Sequence, residues 1–162
     1  MKSTVSHLEM ISREVFLPAE IPTGFQLKRV DDPGINERYY RAVGEACEWT
    51  DRLEWLAGDW SSWAQRGALE TWLAFFDDAE VGYVELEKQK EGNVEIVYFG
   101  LLPQMIGRGL GGAMLTEAVL RAWEIEGTQR IWLHTCTEDH PHAILNYEKR
   151  GFRLFKTKGN LR

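Results

Sequence analysis

Hydrophobic and polar positions change their spacing several times along the chain. Phe25, Leu27 and Val30 predict a first strand, ended by Asp31-Asp32-Pro33-Gly34, and Ile35 to Ala46 reads as a helix that starts in that turn. A second helical stretch, Leu53 to Gln65, carries Trp55, Trp60 and Trp63. From Thr71 the texture becomes that of strands: Thr71 to Phe76, a turn at Asp77-Asp78, Val81 to Glu87, a turn near Glu91-Gly92-Asn93, then Val94 to Leu102. Three consecutive strands with short turns imply an antiparallel meander.

Leu110 to Glu126 is the clearest helix. Thr116, Glu117, Arg121 and Glu124 gather on one face, Met114, Leu115, Ala118, Val119 and Ala122 cover the rest, and Gly127 closes it. Ile131 to Cys136 reads as a strand, Pro141 to Arg150 as a helix with proline in its first turn, and Phe152 to Lys156 as a last strand. Residues 1–23, with Pro18 and Pro22, read as an N-terminal arm or edge extension, and residues 24–162 as one domain of α/β class with regular structure beginning near Gly24.

A length of 162 residues with 44% hydrophobic positions suits one domain with its own core. The formal net charge of -6 argues against general attraction to nucleic acid or to an anionic membrane. Cys47 and Cys136 lie far apart and form no disulfide framework, so the cytoplasm is the expected compartment. The first twenty residues contain Glu9, Arg13 and Glu14, which does not fit a signal peptide or a membrane span.

The strongest chemical signal is Gly107-Arg108-Gly109-Leu110-Gly111-Gly112, which opens the long helix with no Ser, Thr, Asp or Asn to cap its free amides. Bare N–H groups at the positive end of a helix dipole hold a phosphate or pyrophosphate, and glycine lets the backbone approach it closely. Arg108 adds a charge. The spacing also matches the dinucleotide fingerprint at Gly107, Gly109 and Gly112, although a meander precedes it and only 50 residues follow. A Walker-type loop would need Lys followed by Ser or Thr, where Ala113-Met114 stand.

Other polar groups stand in apolar surroundings. Glu95 lies in Val94-Glu95-Ile96-Val97-Tyr98-Phe99, where burial of a lone carboxylate disfavours its charged form, as a general base requires. An edge-facing or salt-bridged glutamate is the competing reading. His134, Cys136, His140 and His142 have an H-x-C-x3-H-x-H spacing compatible with zinc, but Pro141 aims the last two histidines differently and strand-end packing explains them better. Trp49, Asp51, Arg52 and Trp55 combine aromatic faces with a carboxylate, a composition that holds an organic cation or packs helices onto a sheet.

From Val94 to Phe152 the chain resembles the GCN5-related N-acetyltransferase superfamily. Its coenzyme motif, Q/R-x-x-G-x-G/A, fits with its glycines on Gly109 and Gly111, which leaves Ile106 where Arg or Gln is usual; the register Gln104, Gly107 and Gly109 fits the letters one turn early. Tyr147-Glu148-Lys149-Arg150-Gly151-Phe152 resembles the family's Y-x-x-x-G-F, while His140 stands where the family has Asn. The resemblance implies the acyl-coenzyme A N-acyltransferase fold, a mixed central sheet flanked by helices. It implies acetyl-coenzyme A as co-substrate and no metal, with Phe99, Leu101, the stretch Ile106, Gly107, Arg108, Gly109, Leu110, Gly111 and Gly112, and His140, Asn146 and Tyr147 around it. Glu95 becomes the base, Tyr147 the acid that protonates the leaving thiolate, and Trp49, Asp51, Arg52 and Trp55 border the acceptor. The expected activity is acetylation of a primary amine of a small molecule or peptide by direct attack in a ternary complex. The alternative is a non-catalytic acyl-coenzyme A sensor or scaffold. No nucleic-acid or membrane partner is expected, and a homodimer is compatible with the sequence.

Overall fold

The computed structural model describes residues 2–47, 49–136 and 142–161. Its strands are β1 (Lys2–Met10), β2 (Phe25–Val30), β3 (Leu69–Phe76), β4 (Ala79–Lys88), β5 (Asn93–Leu101), β6 (Arg130–Cys136) and β7 (Arg153–Leu161). Its helices are α1 (Pro33–Cys47), α2 (Ala57–Ala64), α3 (Gly111–Glu124) and α4 (Ala143–Lys149). The strands form one sheet in the order β2-β3-β4-β5-β6-β1-β7. The expected meander is β3, β4 and β5, antiparallel throughout, and β5 pairs with β6 in parallel.

Strand β1 corrects the reading of residues 1–23 as an arm before the first regular element. It lies inside the sheet, antiparallel to β6 on one side and to β7 on the other. Ser6, Leu8 and Met10 are buried at alternate positions, which is the period of a half-covered strand. Serine at one of the inward positions weakens the apolar signal by which such a strand is recognised. Strand β7 also runs further than expected, because β1 gives it a partner along its length.

The core is shared between the two faces of the sheet. Pleating places Tyr83 and Glu85 of β4 toward α1 and α2, where Tyr83 lies against Tyr39 and Glu85 against Asn36 and Trp63. Alternate positions Val84 and Leu86 join the core with Met114, Leu115, Ala118, Val119 and Ala122 of α3, all fully or almost fully buried. Burying such side chains contributes about 1.5–3 kcal/mol each for the larger aliphatic ones.

Two irregularities open the sheet at its centre. Glu85 pairs with Tyr98 but Leu86 pairs with Ile96, so Val97 is an extra residue in β5 and the strand bends there. The parallel pairing of β5 with β6 covers only Asn93 to Glu95 against Arg130 to Trp132. Beyond Glu95 the strands part, and the gap between them leads to the site.

Candidate active site

The strand-to-helix turn has the form the sequence suggested. Gly107 and Gly109 take φ of 84° and 77°, in the left-handed region that disfavours any side chain. A Cβ at either position would meet nothing, so the demand for glycine there is conformational and not one of space. Leu110 precedes α3 without giving its amides a side-chain acceptor. Asn146 of α4 donates from Nδ2 to the Gly111 carbonyl at 3.1 Å, tying the two helices together beside the turn.

Around this turn lies a cleft of about 400 Å³ lined mainly by apolar groups and backbone. Phe99, Leu101, Ile106, Gly107, Gly109, Leu110, Gly111, Gly112, Asn146 and Tyr147 all line it, so the structure brings together nearly the whole expected coenzyme set. Arg108 is exposed beside the turn and does not line the cleft. His140 and Pro141, the expected start of α4, lie outside the described residues.

A second cleft, of about 440 Å³, opens on the other side of the parted strands. Its walls are Ile96 to Phe99 of β5, His134 to Cys136 of β6, Val5 and His7 of β1, Lys156 and Lys158 of β7, and the loop Trp49 to Asp51. Trp49, Phe99 and Tyr147 line both clefts, so the two meet at these three rings. Tyr147 is almost fully buried, with Phe99 and Phe152 ring centroids 6.1 and 6.0 Å away.

Glu95 is buried but not alone. Gln89 Nε2 donates to its Oε1 at 2.9 Å, and Trp132 Nε1 holds Gln89 by donating to Oε1 at 2.9 Å. The other carboxylate oxygen lies 3.4 Å from His134 Nδ1. His134 lines the second cleft and Glu95 does not, so the imidazole stands between the carboxylate and the open space. On sequence alone His134 is a zinc candidate; among the described residues no group of three His, Cys, Asp and Glu side chains forms a metal site.

The acceptor set divides in two. Trp49 and Asp51 line the second cleft, and Tyr98 donates its hydroxyl to Asp51 Oδ2 at 3.2 Å. Burial, and then the Asp51 charge, push the Tyr98 phenol far up from its usual value, so it remains a donor. Arg52 and Trp55 line neither cleft, which corrects their assignment to the acceptor wall. Arg52 is buried and its Nη1 lies 3.0 and 3.1 Å from the two oxygens of Glu85, a fully buried carboxylate. Glu85 also accepts from Trp63 Nε1 at 2.8 Å and Asn36 Nδ2 at 3.0 Å. The guanidinium packs over Tyr98, Trp63 and Trp55 at 4.4, 4.5 and 4.6 Å from the ring centroids. A buried charge demands a paired and hydrogen-bonded counter-charge, and Glu85 claims Arg52 for that purpose.

Sequence reasoning passed over His7, Lys156 and Lys158, because they reach the site only through β1, and Glu85, whose apolar strand context is the one that drew attention to Glu95.

Residues 35–152 match the sequence profile described as the Acetyltransferase (GNAT) family. No curated protein matches the chain closely enough to count as a relative. Among solved structures, it is similar to a GCN5-related N-acetyltransferase from Kribbella flavida, at 19% identity and a TM-score of 0.68 over 98% of this chain and 56% of that one. A GCN5-related N-acetyltransferase from Sphaerobacter thermophilus gives 22% identity and a TM-score of 0.70 over 96% of this chain and 49% of that one. The chain thus spans about half the length of these two. An aminoglycoside acetyltransferase from an uncultured soil metagenomic sample, in complex with sisomicin, gives 12% identity and a TM-score of 0.62 over 81% of this chain and 90% of that one. At these identities the likeness is one of fold.

Proposed function

The chain belongs to the GNAT acetyltransferase family, and from that premise we propose that it transfers an acetyl group from acetyl-coenzyme A to a primary amine, with both substrates bound together. The observation that carries this reading is the pair of clefts that meet at Trp49, Phe99 and Tyr147. One has an uncapped helix start with glycines at positive φ, suited to a pyrophosphate. The other has titratable groups suited to an amine. A thioester threaded from the first toward the second presents its carbonyl where they meet, which is the proximity an acyl transfer needs.

The neutral amine adds to the thioester carbonyl carbon, a C–N bond forms and the C–S bond breaks. His134, held by Glu95, accepts the proton that the amine nitrogen loses, and Glu95 stabilises the resulting imidazolium. The Tyr147 hydroxyl gives its proton to the departing thiolate and regains one from solvent. Glu95 therefore acts through His134 instead of reaching the amine itself. Gln89 and Trp132 fix the carboxylate so that its free oxygen faces the imidazole.

Release of free thiol from acetyl-coenzyme A is the assay, over a panel of amino acids, polyamines, aminoglycosides and peptides. Thiol release with at least one amine supports the reading. Tight coenzyme binding with no release over the whole panel would instead make the domain an acyl-coenzyme A sensor.

A further inference from the structure

One wall of the acceptor cleft is basic, although the chain as a whole is acidic. Strands β6, β1 and β7 are in antiparallel register, so side chains align across them in rows on one face. His134, His7 and Lys156 form one row; Cys136, Val5 and Lys158 form the next. The row on the other side holds Trp132, Glu9 and Arg153, and there Glu9 is already matched by Arg130 and Arg153.

The His7 and His134 rings lie 5.8 Å apart, and Trp132 stacks on His7 at 6.2 Å. Burial first, then the charges of His134, Lys156 and Lys158, hold His7 below its usual value, as expected where basic groups share one small volume. Lys156 and Lys158 are exposed, and no described carboxylate pairs with either. Among the described residues, the one carboxylate lining the cleft is Asp51, which belongs to the loop after α1 and takes the Tyr98 hydroxyl.

A cleft with two ammonium groups on one wall that no described carboxylate neutralises repels a polycation and attracts an anion. We propose that the acceptor is an amine that also carries an acidic group, with Lys156 and Lys158 holding the anion while the amino group points to His134 and Tyr147. This rests on the acetyl-transfer reading and narrows its substrate class. It also separates this chain from the aminoglycoside acetyltransferase it resembles in fold, since aminoglycosides carry several positive charges and no negative one.

The test compares acceptors in matched pairs: phenylalanine with phenethylamine, glutamate with 4-aminobutyrate, and O-phosphoethanolamine with ethanolamine, beside spermidine and kanamycin. The expected kcat/KM favours the more acidic member of a pair by roughly 10- to 100-fold, the range of one or two charge-assisted hydrogen bonds. Which pair shows the larger preference tells a carboxylate from a phosphate. In the Lys156→Glu, Lys158→Glu double variant the preference vanishes or reverses, while the calorimetric Kd for coenzyme A stays unchanged. Both lysines are exposed strand positions, so the variant keeps its fold, checked by circular dichroism.

A loss of coenzyme A affinity in the double variant would assign the wall to the coenzyme's phosphates and overturn the proposal. So would a wild-type preference for spermidine or kanamycin, which leaves acetyl transfer itself intact. If no amine is turned over, acetyl transfer fails on its own; the same pairs are then compared as ligands of the coenzyme A-loaded protein by calorimetry. There the proposal still requires tighter binding of the acidic members, and equal binding overturns it.

Discussion

Replacing Arg52 by Met isolates the buried ion pair that Arg52 makes with Glu85, beside the loop Trp49 to Asp51. The Glu85 carboxylate is fully buried and accepts from Arg52, Trp63 and Asn36. Taking away the cation leaves a buried charge with two neutral donors, a loss that costs about 3–5 kcal/mol when one partner of a buried pair is removed. Met refills much of the volume between Trp55, Trp63 and Tyr98, so little of the loss is cavity. With a urea slope of about 2 kcal/mol/M the unfolding midpoint falls by roughly 1.5–2.5 M. Adding Glu85→Gln removes the stranded charge. Trp63 and Asn36 bond to different oxygens of Glu85, so the amide keeps an acceptor for one of them and leaves the other donor unmet, and the double variant should return to within about 1–3 kcal/mol of the parent. Urea unfolding of the parent, the two single variants and the double variant closes the cycle. An Arg52→Met variant within about 1 kcal/mol of the parent, or a double variant no better than the single, would refute the paired-charge account. Because Asp51 is the next residue in the chain, the single variant should also raise KM for the acceptor more than KM for acetyl-coenzyme A.

Gly109→Ala forces a side chain onto a backbone at φ 77°, at about 1–2 kcal/mol; acetyl-coenzyme A affinity by calorimetry should fall about tenfold, with a small drop in Tm. Glu95→Gln and His134→Gln should each lower kcat/KM strongly without changing coenzyme affinity, and their combination should be hardly worse than either one, as expected of groups that act as a unit; multiplicative losses would separate the two roles. Tyr147→Phe should slow acetyl transfer least with acyl donors whose thiolate is a good leaving group, measured by comparing thioesters of differing thiol acidity. Burial pushes the Tyr39 phenol up to about 12, so the native state keeps a proton that the unfolded chain loses near pH 10. That contribution is complete below pH 10 and is lost as the pH rises toward 12, and urea unfolding over that range should show a shallower alkaline decline in Tyr39→Phe.

Much of the C-terminal half was legible because its signals are local. The period of α3, the strand alternation of β3 to β5 and the uncapped glycine turn each depend on neighbours in the chain, and the structure places them close to where the pattern puts them. What escaped depends on partners far away in sequence. Strand β1 has polar side chains at several positions and is identified by pairing with β6 and β7, more than 100 residues on. With β1 hidden, no reading of residues near Cys136 or Lys156 could bring His7, His134, Lys156 and Lys158 to one wall. Arg52 shows the same thing in another form. Its tryptophan neighbours suggest a cation site, and they do surround a cation, but that cation is Arg52 itself, held by Glu85 from β4.

The most direct test of the account is calorimetric titration of the protein with acetyl-coenzyme A and, separately, with NAD. The glycine turn at 107–112 answers to both chemistries by spacing, whereas the parted β5 and β6 and the meander before them suit only the first. The account predicts one acetyl-coenzyme A bound per chain, weakened by Gly109→Ala, and no heat with NAD. Tight binding of NAD with none of acetyl-coenzyme A would contradict it.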